Sequence, residues 1–311
     1  MKTVRSILLS VSVLLISFVP VSASSVLLAE ADGRYRFSAD EHEVFLNGAG
    51  VLMRSTFADS RGDRLTVFAL GEVMKNAEDA MLHEGYLKYK GPLGAWNITA
   101  GRFTLQHGLL WNFTAKRLLF EDTGHMLLGF DADNGLMVSG ITEELDYSLS
   151  VTQGLGPHGG LEFPGPGLFS GRVGFPLGMT GQNMLGLSLV FGRTDGGYRS
   201  FSTDLKRLAL VDGLFDFDRF ILRFEVTGGR VEDDLFSIIF SNLDMALFPR
   251  LDLNIAGTGV EKGGSGKESL FAGLTFKPKF LTIRGGYTHV FDENEADRFS
   301  IQLYRLFSTR F

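Results

Sequence analysis

Arg223 and Glu225 stand two positions apart in the segment FILRFEVTGG (220–229), interleaved with Phe220, Leu222, Phe224 and Val226. Successive side chains of an extended strand point to opposite faces, so the two charges would share one face and the four apolar residues the other. Fixed charges in a row facing water act on passing ions and polar solutes through their field and the space between them. The same parity argument gives an inward, water-facing set of Arg172, Arg223, Glu225, Asp252, Asn254, Lys277 and Arg284, with Arg102 as a further wall cation. Lys116, Arg117, Glu121, Asp122 and His125 lie in a long stretch between strands. Both signs occur, and lone charges in a dry core would cost several kcal/mol each, so the set predicts a wet interior with weak ion selectivity.

Spacings for covalent or metal chemistry are missing. The sequence contains no G-x-S-x-G, H-E-x-x-H, P-loop or EF-hand pattern. Gln153 and His158 are not followed by a serine at the spacing a nucleophile would need, and the six histidines are scattered without metal-ligand spacing. There is no cysteine, which removes disulfides, thiolate zinc, iron–sulfur clusters and covalent haem together. The expectation is therefore a protein that is not an enzyme, with no cofactor and no metal.

Period-2 alternation recurs through the chain, whereas helical periodicity is scarce. It is clear in LDYSLSVTQG (145–154), NMLGLSLVFGRT (183–194) and FLTIRGGYTHVF (280–291). Strands are expected at 33–39, 43–54, 64–74, 82–90, 95–106, 135–142, 145–154, 168–176, 183–194, 205–214, 220–230, 235–245, 250–260, 268–277, 280–291 and 297–307. These lengths approach the ~9–11 residues that a tilted strand needs to cross a bilayer. The connections alternate between short turns (91–94, 143–144, 178–182, 216–219, 248–250, 277–279) and longer loops (107–134, 155–167, 195–204, 261–267, 292–296). Sorting of that kind, with both termini on the short side, predicts an all-β transmembrane antiparallel barrel of about sixteen strands; fourteen also fits.

Composition agrees. Thirty-nine glycines and eight prolines suit many turns, and 28 phenylalanines suit an apolar outer band. The N-terminus has Lys2 and Arg5, an apolar stretch from Ile7 to Val19 and the small-residue pattern Val21-Ser22-Ala23. It reads as a signal peptide over 1–23, leaving one domain over 24–311. Removal of Lys2 and Arg5 leaves 28 basic against 36 acidic residues, a charge of −8, which argues against a nucleic-acid partner.

The last strand places Phe299, Ile301, Leu303, Phe307 and Phe311 on one parity, with Arg305 among them. Ending so, the chain resembles outer-membrane β-barrel proteins of Gram-negative bacteria, whose final strand commonly ends in Phe. Residues 80–140 are similar to the phosphate-selective porin family through Tyr86, Tyr89, Gly101, Arg102, Phe103 and Gly108. That resemblance implies a loop over 107–134 folded into the lumen as a constriction, and a homotrimer. Lys116-Arg117 is a single basic pair rather than a ladder, which favours a general channel over a phosphate-specific one. The expected function is passive diffusion of small hydrophilic solutes or ions through the outer membrane, with outer-membrane lipid and lipopolysaccharide as surroundings. The alternative is a non-transporting barrel acting as a structural, surface-binding or electron-conduit scaffold. The acidic stretches RVEDD (230–234) and DENEAD (292–297) would lie on the outer rim, as solvated turns or as divalent-cation bridges to lipopolysaccharide phosphates.

Overall fold

The computed structural model describes residues 22–39, 42–60, 62–74, 81–109, 119, 128, 130–156, 165, 167–178, 183–194, 204–292 and 295–310. Lys116, Arg117, Glu121, Asp122, His125, His158, Phe311 and residues 1–21 of the expected signal peptide fall outside them.

Sixteen strands form one closed antiparallel sheet in which each pairs with its sequence neighbours and β1 closes on β16. In order they are β1 (Ser22–Ser38), β2 (His42–Asp59), β3 (Gly62–Met74), β4 (Met81–Lys90), β5 (Asn97–Thr104), β6 (Ala132–Ile141), β7 (Asp146–Thr152) and β8 (Leu168–Leu177). The second half comprises β9 (Asn183–Thr194), β10 (Asp204–Phe217), β11 (Phe220–Val231), β12 (Asp234–Phe248), β13 (Leu251–Lys262), β14 (Ser265–Phe276), β15 (Thr282–Val290) and β16 (Arg298–Arg310). Closure leaves no unpaired edge, the condition for a sheet to sit in hydrocarbon. Among the described residues no helix is long and apolar enough to cross a membrane.

Every expected strand is present, with three changes, and the longest connections (105–131, 153–167 and 195–203) share one rim, although 39–41, 232–233 and 263–264 on that rim have only two or three residues. β1 begins at Ser22 rather than 33, because SASSVLLAEAD does not alternate yet pairs with β2 from Ser22 and with β16 from Val26. The long connection is 105–131, since 132–134 already pair with β5. The expected loop 261–267 is a two-residue turn, because β13 and β14 pair down to Lys262 and Ser265. Gly263 and Gly264 take φ of 60° and 82°, the mirror-image turn whose twist matches the flanking strands.

Exposure alternates along the strands. On β11, Arg223, Glu225 and Thr227 are buried while Leu222 and Val226 are exposed. Aliphatic residues such as Leu187, Leu189, Val211, Val226, Ile239 and Leu270 form the exposed waist. Phe217, Phe220, Phe248, Phe276 and Phe280 crowd the rim of short turns, and Phe37, Tyr287, Phe291 and Phe299 the rim of loops. This is the aromatic-bordered apolar band of a membrane barrel. Arg305 lies on this outer face near the turn rim, its guanidinium 4.1 Å from the Phe307 ring centroid. Stacking of that kind lets an arginine stem cover apolar surface.

One backbone position is closely constrained. Gly229 has φ of 153°, and a Cβ there would collide with the Arg207 carbonyl oxygen of the neighbouring strand. Gly229→Ala should therefore lower barrel stability by about 1–3 kcal/mol. Urea unfolding in micelles, followed by the loss of heat-modifiable mobility, would measure it; an unshifted midpoint would contradict the strain.

Candidate functional site: the barrel lumen

The interior is divided between an apolar fill and a polar wall. The 105–131 connection enters the lumen directly after β5. Its Gly108 amide donates to Ser188 Oγ on β9 at 2.9 Å, and its Leu109 amide to Glu225 Oε2 on β11 at 3.2 Å. Both acceptors are on inward-facing positions, so the chain crosses the barrel interior to reach strands distant from its own. Leu119 packs on inward Phe240, Ala256 and Phe271 of β12–β14. On the return, Leu128 and Phe130 bury against Phe103, Leu105, Met137 and the inner faces of β8–β12. These contacts hold the described residues of the connection against the wall by the hydrophobic effect.

A second loop supports the first. Asp133 is fully buried and accepts from the Gly156 amide at 3.2 Å and from the Gly154 amide, fixing the start of the 153–167 connection beside Phe130. His83 joins in from the wall. A register shift opposite Leu70 and Gly71 turns both His83 and Glu84 of β4 inward. The His83 ring lies 3.3 Å from Asp131 Oδ1 through Nε2 and 3.5 Å from Glu72 Oε2 through Nδ1. It thus ties the end of the connection to β3 and β4. No spacing in the sequence marks this contact, because it depends on a bulge.

The polar wall runs from strand to strand. Arg172 pairs with Asp212 Oδ1 at 2.7 Å and Asp146 Oδ2 at 2.9 Å, its side chain 4% exposed. Arg223 donates to Asn242 Oδ1 at 2.8 Å and to Asp244 Oδ2. Asn254 Nδ2 donates to Asp244 Oδ1 at 2.7 Å, and Thr275 Oγ1 to Asn254 Oδ1. Arg284 donates to Gln302 Oε1 at 2.7 Å, Arg34 and Asn47 both donate to Asp32, and Tyr304 donates to Glu30 Oε2. Asp252 pairs with Lys277 at the turn rim. Paired charges and hydrogen-bonded amides are what a water-lined wall requires.

Of the residues singled out from sequence, Arg172, Arg223, Glu225, Asp252 and Arg284 all face inward, and Glu225 anchors the crossing connection. Arg102 differs. It shares its face with exposed Ile98 and Ala100 and donates to Leu82 O at 2.9 Å and Asn134 Oδ1 at 3.2 Å. The strand's parity, seen in buried Thr99 and Phe103, sets it outside the wall, a difference that the motif alone did not reveal. The partners Asp146, Asp212, Asp244, Gln302 and Asp32 were missed; Asp212 shares its parity with buried Leu208 and Leu210 and so resembles part of an apolar stripe. Among the described residues no group of three or more His, Asp or Glu could hold a metal ion.

No family model and no curated protein matches the chain. Solved structures do. A loop L8 deletion form of OmpT, an outer membrane protein of Vibrio cholerae, superposes with TM-score 0.70 at 12% identity, covering 92% of this chain and all of that one. OmpF of Salmonella typhi, in a complex with daunomycin, gives TM-score 0.68 at 13% identity, covering 91% of this chain and 97% of that one. An anion-selective porin from Comamonas acidovorans gives 0.66 at 10% identity, covering 93% of this chain and all of that one. At these identities the likeness establishes the sixteen-stranded fold of outer-membrane porins.

Proposed function

We propose that this barrel is exported by its N-terminal leader to the outer membrane and acts there as a porin, a passive channel for small hydrophilic solutes and ions. The observation that carries the reading is the crossing of the lumen by the 105–131 connection, anchored on Ser188 and Glu225. It narrows the barrel on the side of β8–β14 and leaves the charged wall of β15, β16, β1 and β2 facing water. Arg284, hydrogen-bonded to Gln302, and Arg223, paired with Asp244, contribute to the wall's field, with Arg172 neutralised by its two carboxylates. With Arg102 on the outer face, the described residues of the segment resembling the phosphate-selective family bring Lys88 and Lys90 inward on β4, Lys90 paired with Asp63, and so short a basic row supports a general channel. Assembly as a homotrimer follows from the likeness to porins and is part of the proposal.

The test is single-channel conductance in a planar bilayer with the reversal potential under a salt gradient. Arg223→Ala/Arg284→Ala should keep discrete openings and move selectivity toward cations. A folded, heat-modifiable barrel without openings would overturn the reading. It would favour instead a non-transporting scaffold, to which the cluster of twelve buried apolar residues seen inside the barrel among the described residues lends weight.

A further inference from the structure

Three arginines lie together on the outer face of the barrel, where an apolar surface is expected. Arg207 of β10 and Arg230 of β11 are directly opposed in the register. Arg193 of β9 is paired with Leu205, which makes it the diagonal neighbour of Arg207. All three are exposed and share parity with the outward residues of their strands. Directly opposed side chains sit ~5 Å apart at Cβ and diagonal ones ~7–8 Å, so three like charges crowd one patch. Like charges opposed across a sheet destabilise it unless an anion joins them.

Position narrows the choice of anion. The three stand one to three residues from the strand ends at the loop rim, immediately beyond exposed Phe191, Leu189, Val211 and Val226. A ligand that met both parts would have an acyl body against the apolar waist and phosphate at the arginines. The backbone is shaped around the patch as well. Gly192 and Gly229, which precede Arg193 and Arg230, take φ of 134° and 153° and press against the neighbouring strand. Two described carboxylates just beyond these strand ends are engaged elsewhere: Glu232 accepts from the Leu205 amide at 2.7 Å, and Asp234 lies against Gly263 in the next turn. Among the described residues none of the three arginines has an ion-pair partner.

We propose that Arg193, Arg207 and Arg230 form a docking site for the phosphate groups of a phosphorylated glycolipid in the outer leaflet, lipid A being the chemistry that fits. The inference rests on the outer-membrane placement proposed above. Guanidinium groups suit it because they bind phosphate oxygens in a two-pronged way that lysine cannot.

The experiment uses the whole protein folded in detergent, titrated with phosphorylated lipid A, with the same lipid after phosphate removal, and with inorganic phosphate as competitor. Wild type should bind the phosphorylated form and discriminate against the dephosphorylated one. Arg193→Gln/Arg207→Gln/Arg230→Gln should bind it roughly 100-fold more weakly. Arg305→Gln, on the outer face at the opposite rim, should bind as wild type. Equal binding by the triple variant, no discrimination between the two lipids, or full displacement by inorganic phosphate would each overturn the site. Conductance of the same preparations in lipid-A-free bilayers separates the failures. Channels that open normally without lipid discrimination defeat the docking site alone, whereas a protein that does not enter bilayers defeats the outer-membrane reading with it.

Discussion

Arg172→Met should destabilise the barrel by about 3–5 kcal/mol, among the largest losses available from one substitution on the wall. The guanidinium holds Asp212, which is fully buried, through Nε and Nη2, and Asp146 through Nη1. Without it, Asp212 keeps a charge in a space that water reaches poorly, and its desolvation cost is no longer offset. Asp146, 26% exposed, can still hydrate. Arg172→Met/Asp212→Leu removes the stranded charge too, and should recover most of the loss, since apolar replacement of a whole buried pair is commonly neutral. Arg172→Lys should fall between, keeping charge but losing the planar fork that reaches two carboxylates. Urea midpoints in micelles measure the series; a double variant as unstable as the single would show that packing, not charge, sets the cost.

Phe130→Ala should loosen the lumen rather than the barrel. The ring is fully buried among Phe103, Leu105, Leu128 and Met137, and its Cδ1 would meet a Cβ at Gly156 at 2.8 Å. Truncating a phenylalanine in such a site costs about 3–5 kcal/mol. The ladder hydrogen bonds of the sheet are untouched, so the loss falls on the 105–131 connection. Its released state should become roughly 100- to 5,000-fold more populated. Channels should then be larger and noisier than those of wild type while the barrel's heat-modifiable migration persists. Unchanged conductance with a less stable barrel would mean that Phe130 only packs the wall.

The barrel was legible where its two faces differ in chemistry. On β11, apolar Leu222, Phe224 and Val226 alternate with Arg223, Glu225 and Thr227, and the register follows from period 2 alone. β12 carries LFSIIF, apolar on both parities, and only the structure shows that Phe236, Ile238 and Phe240 point inward to receive the connection. That lining depends on a loop from far along the chain, which no local pattern encodes. Arg102 was expected as a further wall cation, whereas its face is set by alternation from Asn97 through Phe103. The wall arginines were legible as charges, but their partners were not. Asp212 and Asp244 sit on strands separate from Arg172 and Arg223, and only sheet register brings them together.

The central claim, an open water-filled lumen along the charged wall, has a direct measurement because the chain contains no cysteine of its own. Ser300 shares its parity with the buried wall residue Gln302, whereas Leu303 faces outward and is 50% exposed. Single channels of Ser300→Cys should lose conductance in discrete steps when a charged, membrane-impermeant thiol reagent is added, and those of Leu303→Cys should not. Channels that never open, or a Ser300→Cys pore that is indifferent to the reagent, would contradict the account.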